Sequence, residues 1–426
     1  MTCRPIAQGH GLVGKRSFRV LAKPAGARCN LDCDYCFYLD KRGLYPGSDF
    51  RMSKTVLERF LTEIIESHSG RDVSIAWQGG EPTLMGLGFF AHAVAKAQRL
   101  ALPGQRIEHS LQTNGTLLDD RWGAFLKQHD FLVGISIDGP ESIHDSHRRD
   151  KRGGPSFSKT MRGLEILRKH GVRYNVLCAV SSTNVDYPTE VYRFLRDECE
   201  ARYLQFIPVA ATEPGSKISH LSVAAESWGW FLSEIFDIWF RHDVGKIFVQ
   251  IFESSLAAWL GLANPMCIFA ETCGRNLALE HTGDLYSCDH FVDQEHRLGN
   301  ILSETMASMV ESPPQLEFGA SKQTLLATGC RSCPVLFACQ GECPKNRLTP
   351  TAIGERINSL CAGYKSFFLA ADGPMRMLAK LIRAGRFADE LYTLLSSMDP
   401  TIMCPCGSGI ELAQCHLPDR SDSQPR

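Results

Sequence analysis

The chain has 426 residues, of which 17 are Cys, and its 46 Lys and Arg balance 47 Asp and Glu to a formal net charge of −1, which gives no electrostatic case for general nucleic-acid or membrane binding. Hydrophobic residues at 44% and charged residues at 22% are ordinary globular values and exclude disorder and collagen-like repeats. No run of about 18 apolar residues offers a membrane span, and the polar, basic stretch 1–19 lacks the apolar core of a secretory signal, so a reduced, cytoplasmic protein of about two or three domains is expected.

From residue 16 to about 210, strand-like and helix-like segments alternate. Residues 18–23 read as a strand, followed by a Cys-rich loop and an amphipathic helix at 53–67 with Ser53 as its N-cap. Strands at 73–77, 107–112, 131–137, 172–180 and 203–208 then alternate with helices at 89–100, 119–128, 159–170 and 188–198. A long basic loop precedes the helix at 159. Six βα-type units in series imply a parallel sheet with right-handed crossovers. Six rather than eight imply an α/β fold built as an open, partial TIM-type (β/α)6 barrel. Polar and Gly-rich punctuation follows each strand, at the C-terminal mouth where such barrels place chemistry. Residues 227–251 read as an apolar helical pair, 267–361 lose the regular alternation, 375–397 are helical, and a short Cys-containing tail begins at 398. The expected division is a lead at 1–15, a core domain at 16–245, a Cys-rich domain at 246–375, a helical linker at 376–400 and a tail at 401–426.

Fourteen of the 17 Cys fall in tight clusters, leaving Cys3, Cys178 and Cys199 isolated. Buried Cys acting as small hydrophobes would leave no spacing pattern, and a reducing compartment does not favour disulfides. Metal or Fe–S ligation is the expectation. Cys29, Cys33 and Cys36 form C-x3-C-x2-C on the loop after the first strand. Three thiolates can hold three irons of a 4Fe–4S cube and leave the fourth open; zinc would want a fourth protein ligand nearby. Gln78-Gly79-Gly80-Glu81-Pro82 follows the second strand. Its glycines let backbone approach a ligand closely, and Glu81 can pair with an ammonium. Ser136 ends the fourth strand and Arg148 lies in the basic loop. An Arg fork suits a carboxylate, although Arg149 beside it leaves the register open. Downstream stand Cys267, Cys273, Cys288, Cys330, Cys333, Cys339, Cys343 and Cys361, enough for two fully ligated 4Fe–4S clusters; a zinc ribbon is the alternative. Cys404, Cys406, Cys415 and His416 make C-x-C-x8-C-H, three thiolates and an imidazole that fit tetrahedral zinc. A tail of about 20 residues cannot fold without such a metal.

The first Cys loop, with Tyr35 before its last Cys, resembles the radical S-adenosylmethionine (SAM) superfamily. The resemblance implies SAM on the open iron, bound by Tyr35, by the loop Gln78, Gly79, Gly80 and Glu81 at its amino group, and by Ser136 and Arg148 at its ribose and carboxylate. The downstream Cys resemble the SPASM auxiliary-cluster module. That resemblance groups Cys267, Cys273, Cys288 and Cys343 on one cluster and Cys330, Cys333, Cys339 and Cys361 on the other, for three 4Fe–4S clusters in all. Cys288-Asp289-His290-Phe291, followed by Leu298-Gly299-Asn300-Ile301, is similar to the anaerobic sulfatase-maturating enzymes, and the likeness spans about residues 16–375. In that family the Asp after this Cys is the catalytic base; a partly desolvated carboxylate suits proton abstraction, and a turn Asp is the alternative. His290 reads as an ordinary loop histidine. The tail resembles the zinc tail of the SecA translocation ATPase.

The implied function is radical SAM oxidation of a sulfatase Cys or Ser to Cα-formylglycine. Reductive cleavage of SAM gives methionine and a 5′-deoxyadenosyl radical that removes a Cβ hydrogen, Asp289 takes the thiol or hydroxyl proton, and an auxiliary cluster takes the second electron. The implied partners are an unfolded or nascent sulfatase polypeptide and a flavodoxin- or ferredoxin-type reductant, with no nucleic acid and no membrane. Another SPASM enzyme forming thioether or C–C crosslinks is the alternative; residues 1–15 are short for the leader-binding domain such enzymes use. A non-catalytic Fe–S or zinc adaptor is more remote, since electron carriers usually close every ligand position.

Overall fold

The structure, a computed structural model, describes residues 18–68, 70–213 and 217–417. The lead at 1–15 and the tail beyond 417 lie outside the described residues. The chain forms two compact units. One contains the described residues up to Arg28, Lys41–Ser110 and Gly274–Gly319; the other contains Cys29–Asp40, Leu111–Cys273 and the described residues from Ala320 onward.

In the first unit, β1 (Arg19–Lys23) leads through a short 3-10 turn to α1 (Lys54–Glu66), then β2 (Asp72–Trp77), α2 (Leu87–Leu100) and the start of β3 (Arg106–Thr113). The Ser53 side chain accepts from Val56 N at 3.2 Å and caps α1, a contact worth about 1 kcal/mol. Val56, Leu57, Phe60, Leu61 and Ile64 form the buried stripe of α1, and Phe60 and Phe90 close edge-on over Trp77. β1 pairs in parallel with β2 on one side and with the strand Asn276–Glu280 on the other, where Lys23 stands opposite Glu280. Two antiparallel strands, Asp284–Tyr286 and Arg297–Asn300, extend that edge. The Cys-rich region therefore contains regular structure where the sequence pattern implies none, and it adds strands to the sheet of the core domain.

In the second unit follow α3 (Asp120–Gln128), β4 (Leu132–Ser136), α4 (Glu141–His147), α5 (Phe157–Lys169), β5 (Arg173–Val180), α6 (Pro188–Arg193), β6 (Tyr203–Pro208), α7 (Ala225–Ile238) and α8 (Gln250–Leu260). β4, β5 and β6 run parallel, as the series of βα units implies. The basic loop is not wholly a loop, because α4 occupies its first part. The expected helical pair at 227–251 is α7 and α8, with the second helix beginning only at Gln250. The helix expected from 375 begins at Cys361 and runs to Arg383, and Glu390–Ser396 is a separate helix. The proposed boundary at 375/376 thus passes through a continuous helix. That helix crosses α7 where Gly363 meets the backbone: a Cβ there would lie 1.9 Å from Ala225 O. Trp228, Phe236, Phe252 and Phe367 fill the core around this crossing. Among the described residues no helix is long and apolar enough to cross a membrane.

Candidate active site and metal centres

β1 ends on a charge. Lys23 is 1% exposed; its ammonium pairs with Asp289 and donates to Gln78 Oε1 at 2.9 Å. Asp289 reaches this point because the strand Asn276–Glu280 lies beside β1 and the Cys288-Asp289 loop follows from the same sheet edge. Each charge is the other's counter-ion where little water enters, so removing either leaves the other buried and uncompensated. The loop after β2 lies against the chain that leads into the first Cys cluster. Gly80 N donates to Gly26 O at 2.8 Å and Glu81 N to Arg28 O at 2.9 Å. A Cβ on Gly80 would meet Arg28 O at 2.1 Å, so glycine is required there by a close approach of backbone to backbone. Gly79 has φ +123° and lies against Gly26 O and Lys23. Glu81 is fully buried and accepts from Thr83 N at 3.0 Å and Thr83 Oγ1 at 2.5 Å, capping the 3-10 turn Pro82–Met85.

In the second unit, Cys29, Cys33 and Cys36 are half-buried on one loop. Burial pushes the Cys33 thiol up to about 12; Arg148 draws it down, and Cys36, Asp138 and Cys29 push it further up. Three thiols on one short loop are the donor set of an iron–sulfur cluster. Cys29 Sγ accepts from Leu31 N at 3.3 Å and from Asn114 Nδ2 at 3.7 Å. The Tyr35 hydroxyl donates to Asp138 and accepts from Arg148 Nη1 at 2.8 Å. Arg148 is 7% exposed, and its Nε is buried without a hydrogen-bond partner, an orphaned donor that an anionic group would satisfy. Arg149 is exposed and turns away to Asp145 O, so the inward arginine is Arg148. Ser136 is buried and accepts from Gln112 Nε2 at 3.0 Å.

The downstream Cys of this unit separate into two neighbourhoods. Cys339 is pushed up to about 12, by burial first and then by Glu342, Cys361 and Cys330. Cys361 is raised by burial, then by Cys330 and Cys333. Cys273, Cys267 and Cys343 instead face the buried Lys322. Cys288 belongs to the other unit, where Gln315 Nε2 donates to the preceding carbonyl, Ser287 O, at 3.2 Å. In the tail, the ligand atoms of Cys404, Cys406, Cys415 and His416 all lie within 4.8 Å of one another, and all four residues are buried. Burial pushes Cys404 up to about 12 and pulls His416 down to about 4, which leaves the imidazole neutral and able to ligate. Three sulfurs and one ring nitrogen at this separation fit tetrahedral zinc.

Comparison with known proteins agrees with this layout. The Radical SAM superfamily profile matches residues 24–195, an iron-sulfur cluster-binding domain matches 267–334, and a SEC-C motif matches 402–418. The serine-type anaerobic sulfatase-maturating enzyme of Bacteroides thetaiotaomicron is 43% identical over 366 residues, which is 82% of this chain and 88% of that protein. The chain belongs to the anaerobic sulfatase-maturating enzymes. A cysteine-type member from Clostridium perfringens is 33% identical, covering 82% of this chain and 95% of its own. A solved anSMEcpe structure with bound AdoMet and a Cp18Cys peptide superposes with TM-score 0.77 at 32% identity, over 85% of this chain and 99% of that one. Streptococcus suis SuiB, at 15% identity and TM-score 0.58, shares the fold. As a radical SAM sulfatase-maturating enzyme, the chain works with 4Fe–4S clusters and SAM.

No motif in the sequence marks Lys23 or Asp138. Both occupy the C-terminal ends of parallel strands, Lys23 as the last residue of β1 and Asp138 just after β4. An isolated charge closing an apolar parallel strand is the signal that finds them.

Proposed function

We infer that this chain oxidises the target residue of a sulfatase, a Ser in preference to a Cys, to Cα-formylglycine. The observation that carries the reading is the buried Lys23–Asp289–Gln78 constellation at the end of β1. It sets an oriented carboxylate directly after Cys288, and a base must be held within reach of the proton it removes. The preference for Ser follows the relatives: two serine-type enzymes are 43% and 37% identical to this chain and cysteine-type enzymes 31% and 33%.

When bound, SAM and its cluster supply the hydrogen-abstracting radical. Cys29, Cys33 and Cys36 hold that cluster. Arg148, fixed by Tyr35 and Asp138, would offer its orphaned Nε to the SAM carboxylate; Ser136 would serve the ribose, and Gln78, Gly79, Gly80 and Glu81 the amino group. Asp289 takes the proton of the target hydroxyl, and Lys23 holds it in place. The Cys267, Cys273, Cys288, Cys343 set and the Cys330, Cys333, Cys339, Cys361 set hold the two auxiliary clusters, and Cys404, Cys406, Cys415 and His416 hold zinc. The division into a core at 16–245, an auxiliary-cluster region at 246–375 and a zinc tail from 401 sorts residues by the group they would hold; the compact units cut across it. The enzyme acts in the cytoplasm on unfolded sulfatase polypeptide and draws electrons from a flavodoxin- or ferredoxin-type protein.

The test is anaerobic incubation of the reconstituted protein with SAM, a reductant and paired sulfatase-motif peptides carrying Ser or Cys. Loss of two hydrogens from the Ser peptide, faster than aldehyde formation from the Cys peptide, supports the reading. A crosslinked product overturns it.

A further inference from the structure

Lys322 is completely buried. Its Nζ donates to Cys267 O and Ile268 O, each at 2.8 Å, and to Ala270 O. An ammonium has three hydrogens, and all three are used on the single 3-10 turn that carries Cys267. From the other side, Arg347 Nη2 donates to Lys322 O at 2.5 Å and Nη1 to Leu325 O at 3.1 Å, which fixes the chain on which the lysine is mounted.

Carbonyl dipoles orient an ammonium but do not neutralise it, and a buried charge needs a counter-charge. The chargeable groups facing Lys322 are Cys273, Cys267, Glu342 and Cys343. The Glu342 carboxylate is already engaged, accepting from Asn346 Nδ2 at 3.1 Å and from Asn358 Nδ2. The remaining neighbours are three thiols of one proposed ligand set. A cluster held by thiolates is anionic and becomes more so on reduction, and its potential is set by net charge, hydrogen bonds and exposure.

We propose that Lys322 is a positioning residue for the auxiliary 4Fe–4S cluster that Cys267, Cys273 and Cys343 help to hold: it locks the Cys267 turn and supplies a buried positive charge that makes this cluster easier to reduce. The proposal rests on the ligand grouping given above. Arg347 does not duplicate the role, because it is only half-buried and faces Cys330 as well as Cys343 and Cys273.

The experiment is an EPR-monitored redox titration of the full-length, reconstituted protein without SAM, in wild type, Lys322→Met and Lys322→Arg, with iron content measured alongside. Cys267→Ala identifies which signal belongs to the cluster in question. Lys322→Met is expected to move the midpoint of that signal to more negative potential and to leave the others in place, while Lys322→Arg recovers most of the shift. Full iron content with unmoved midpoints in Lys322→Met overturns the proposal. If Lys322→Met instead loses about four irons per chain and keeps the other clusters, the positioning role stands. Lys322→Arg then decides the charge: recovery of the cluster at its wild-type midpoint supports it, and failure to recover the cluster overturns it. A midpoint shift in a signal other than the one lost in Cys267→Ala shows the ligand grouping, rather than the role of Lys322, to be at fault.

Discussion

At the end of β1, Asp289 and Lys23 are proposed to divide two tasks. The carboxylate would accept the proton, while the ammonium, with its second bond to Gln78, holds the carboxylate in place. Asp289→Asn retains shape and hydrogen-bonding reach but removes the base. Formylglycine should fall by at least about 100-fold while SAM cleavage continues, now uncoupled from product. Mass spectrometry of aldehyde and 5′-deoxyadenosine from one reaction reads both, and an unchanged aldehyde yield would make Asp289 a turn residue. Lys23→Met leaves the carboxylate buried without its counter-ion, a loss of about 3–5 kcal/mol when one partner of a buried pair is removed. Its thermal midpoint should drop and its aldehyde yield with it. Because the two residues act through each other, the double variant should lose less than the sum of the single losses. Additive losses in melting and yield would mean that the pair does not act as a unit.

The loop of the first cluster is an element with its own supports. Asp32 N donates to Arg149 O at 2.8 Å, and Asn30 bonds to Asn114 and Thr116 at 2.9 and 2.8 Å. Loss of one thiol should therefore leave the loop in place. Cys29→Ala, Cys33→Ala and Cys36→Ala should each abolish SAM cleavage and keep the downstream iron; full 5′-deoxyadenosine production in any of them sinks the assignment. The crossing of α7 with the helix Cys361–Arg383 is sensitive in a different way. In Gly363→Ala the new methyl would lie 1.9 Å from Ala225 O, and such overpacking costs about 1–3 kcal/mol. A lower thermal midpoint is the expected result, and an unchanged melt would show that the helices can separate freely. These elements differ in how openly the sequence declares them. β1 to β6 and α1 are legible because cap residues and apolar periodicity act locally, as Ser53 does on α1. The helix Cys361–Arg383 begins well before the 375 expected from the sequence; Pro374, a residue type that usually stands in a first turn, sits inside it. α4 is short and polar and has no apolar stripe to betray it.

At the scale of the whole molecule, reading domains as consecutive segments misses how the chain is shared. Gly274–Gly319 joins the unit that contains β1 and β2 because Asn276–Glu280 pairs with β1, and no local pattern encodes a pairing across some 250 residues. The same holds for Asp289: its residue type and its place after Cys288 are visible in the sequence, but its partner Lys23 is not. The tail shows the reverse case. Its C-x-C-x8-C-H spacing announces a self-contained metal knuckle, yet the structure docks it on its own unit. Gly373 lies so close that a Cβ would stand 1.9 Å from Cys406 O, and the Phe240 ring lies 4.7 Å from the His416 ring. A zinc held by Cys404, Cys406, Cys415 and His416 would therefore organise the tail and with it a cover over Phe240 and the face of the helix Cys361–Arg383. Cys404→Ala or Cys415→Ala should remove about one zinc per chain and lower the thermal midpoint, while turnover on a short sulfatase-motif peptide is spared. Gly373→Ala should lower the midpoint in the same way with its zinc retained, because it disturbs the docking and leaves the ligands alone. Metal analysis, melting and peptide mass spectrometry on these three variants read each effect separately. If turnover collapses together with the zinc, the tail belongs to the active site; if the two Cys variants melt as the wild type does, the docking seen here contributes nothing to stability.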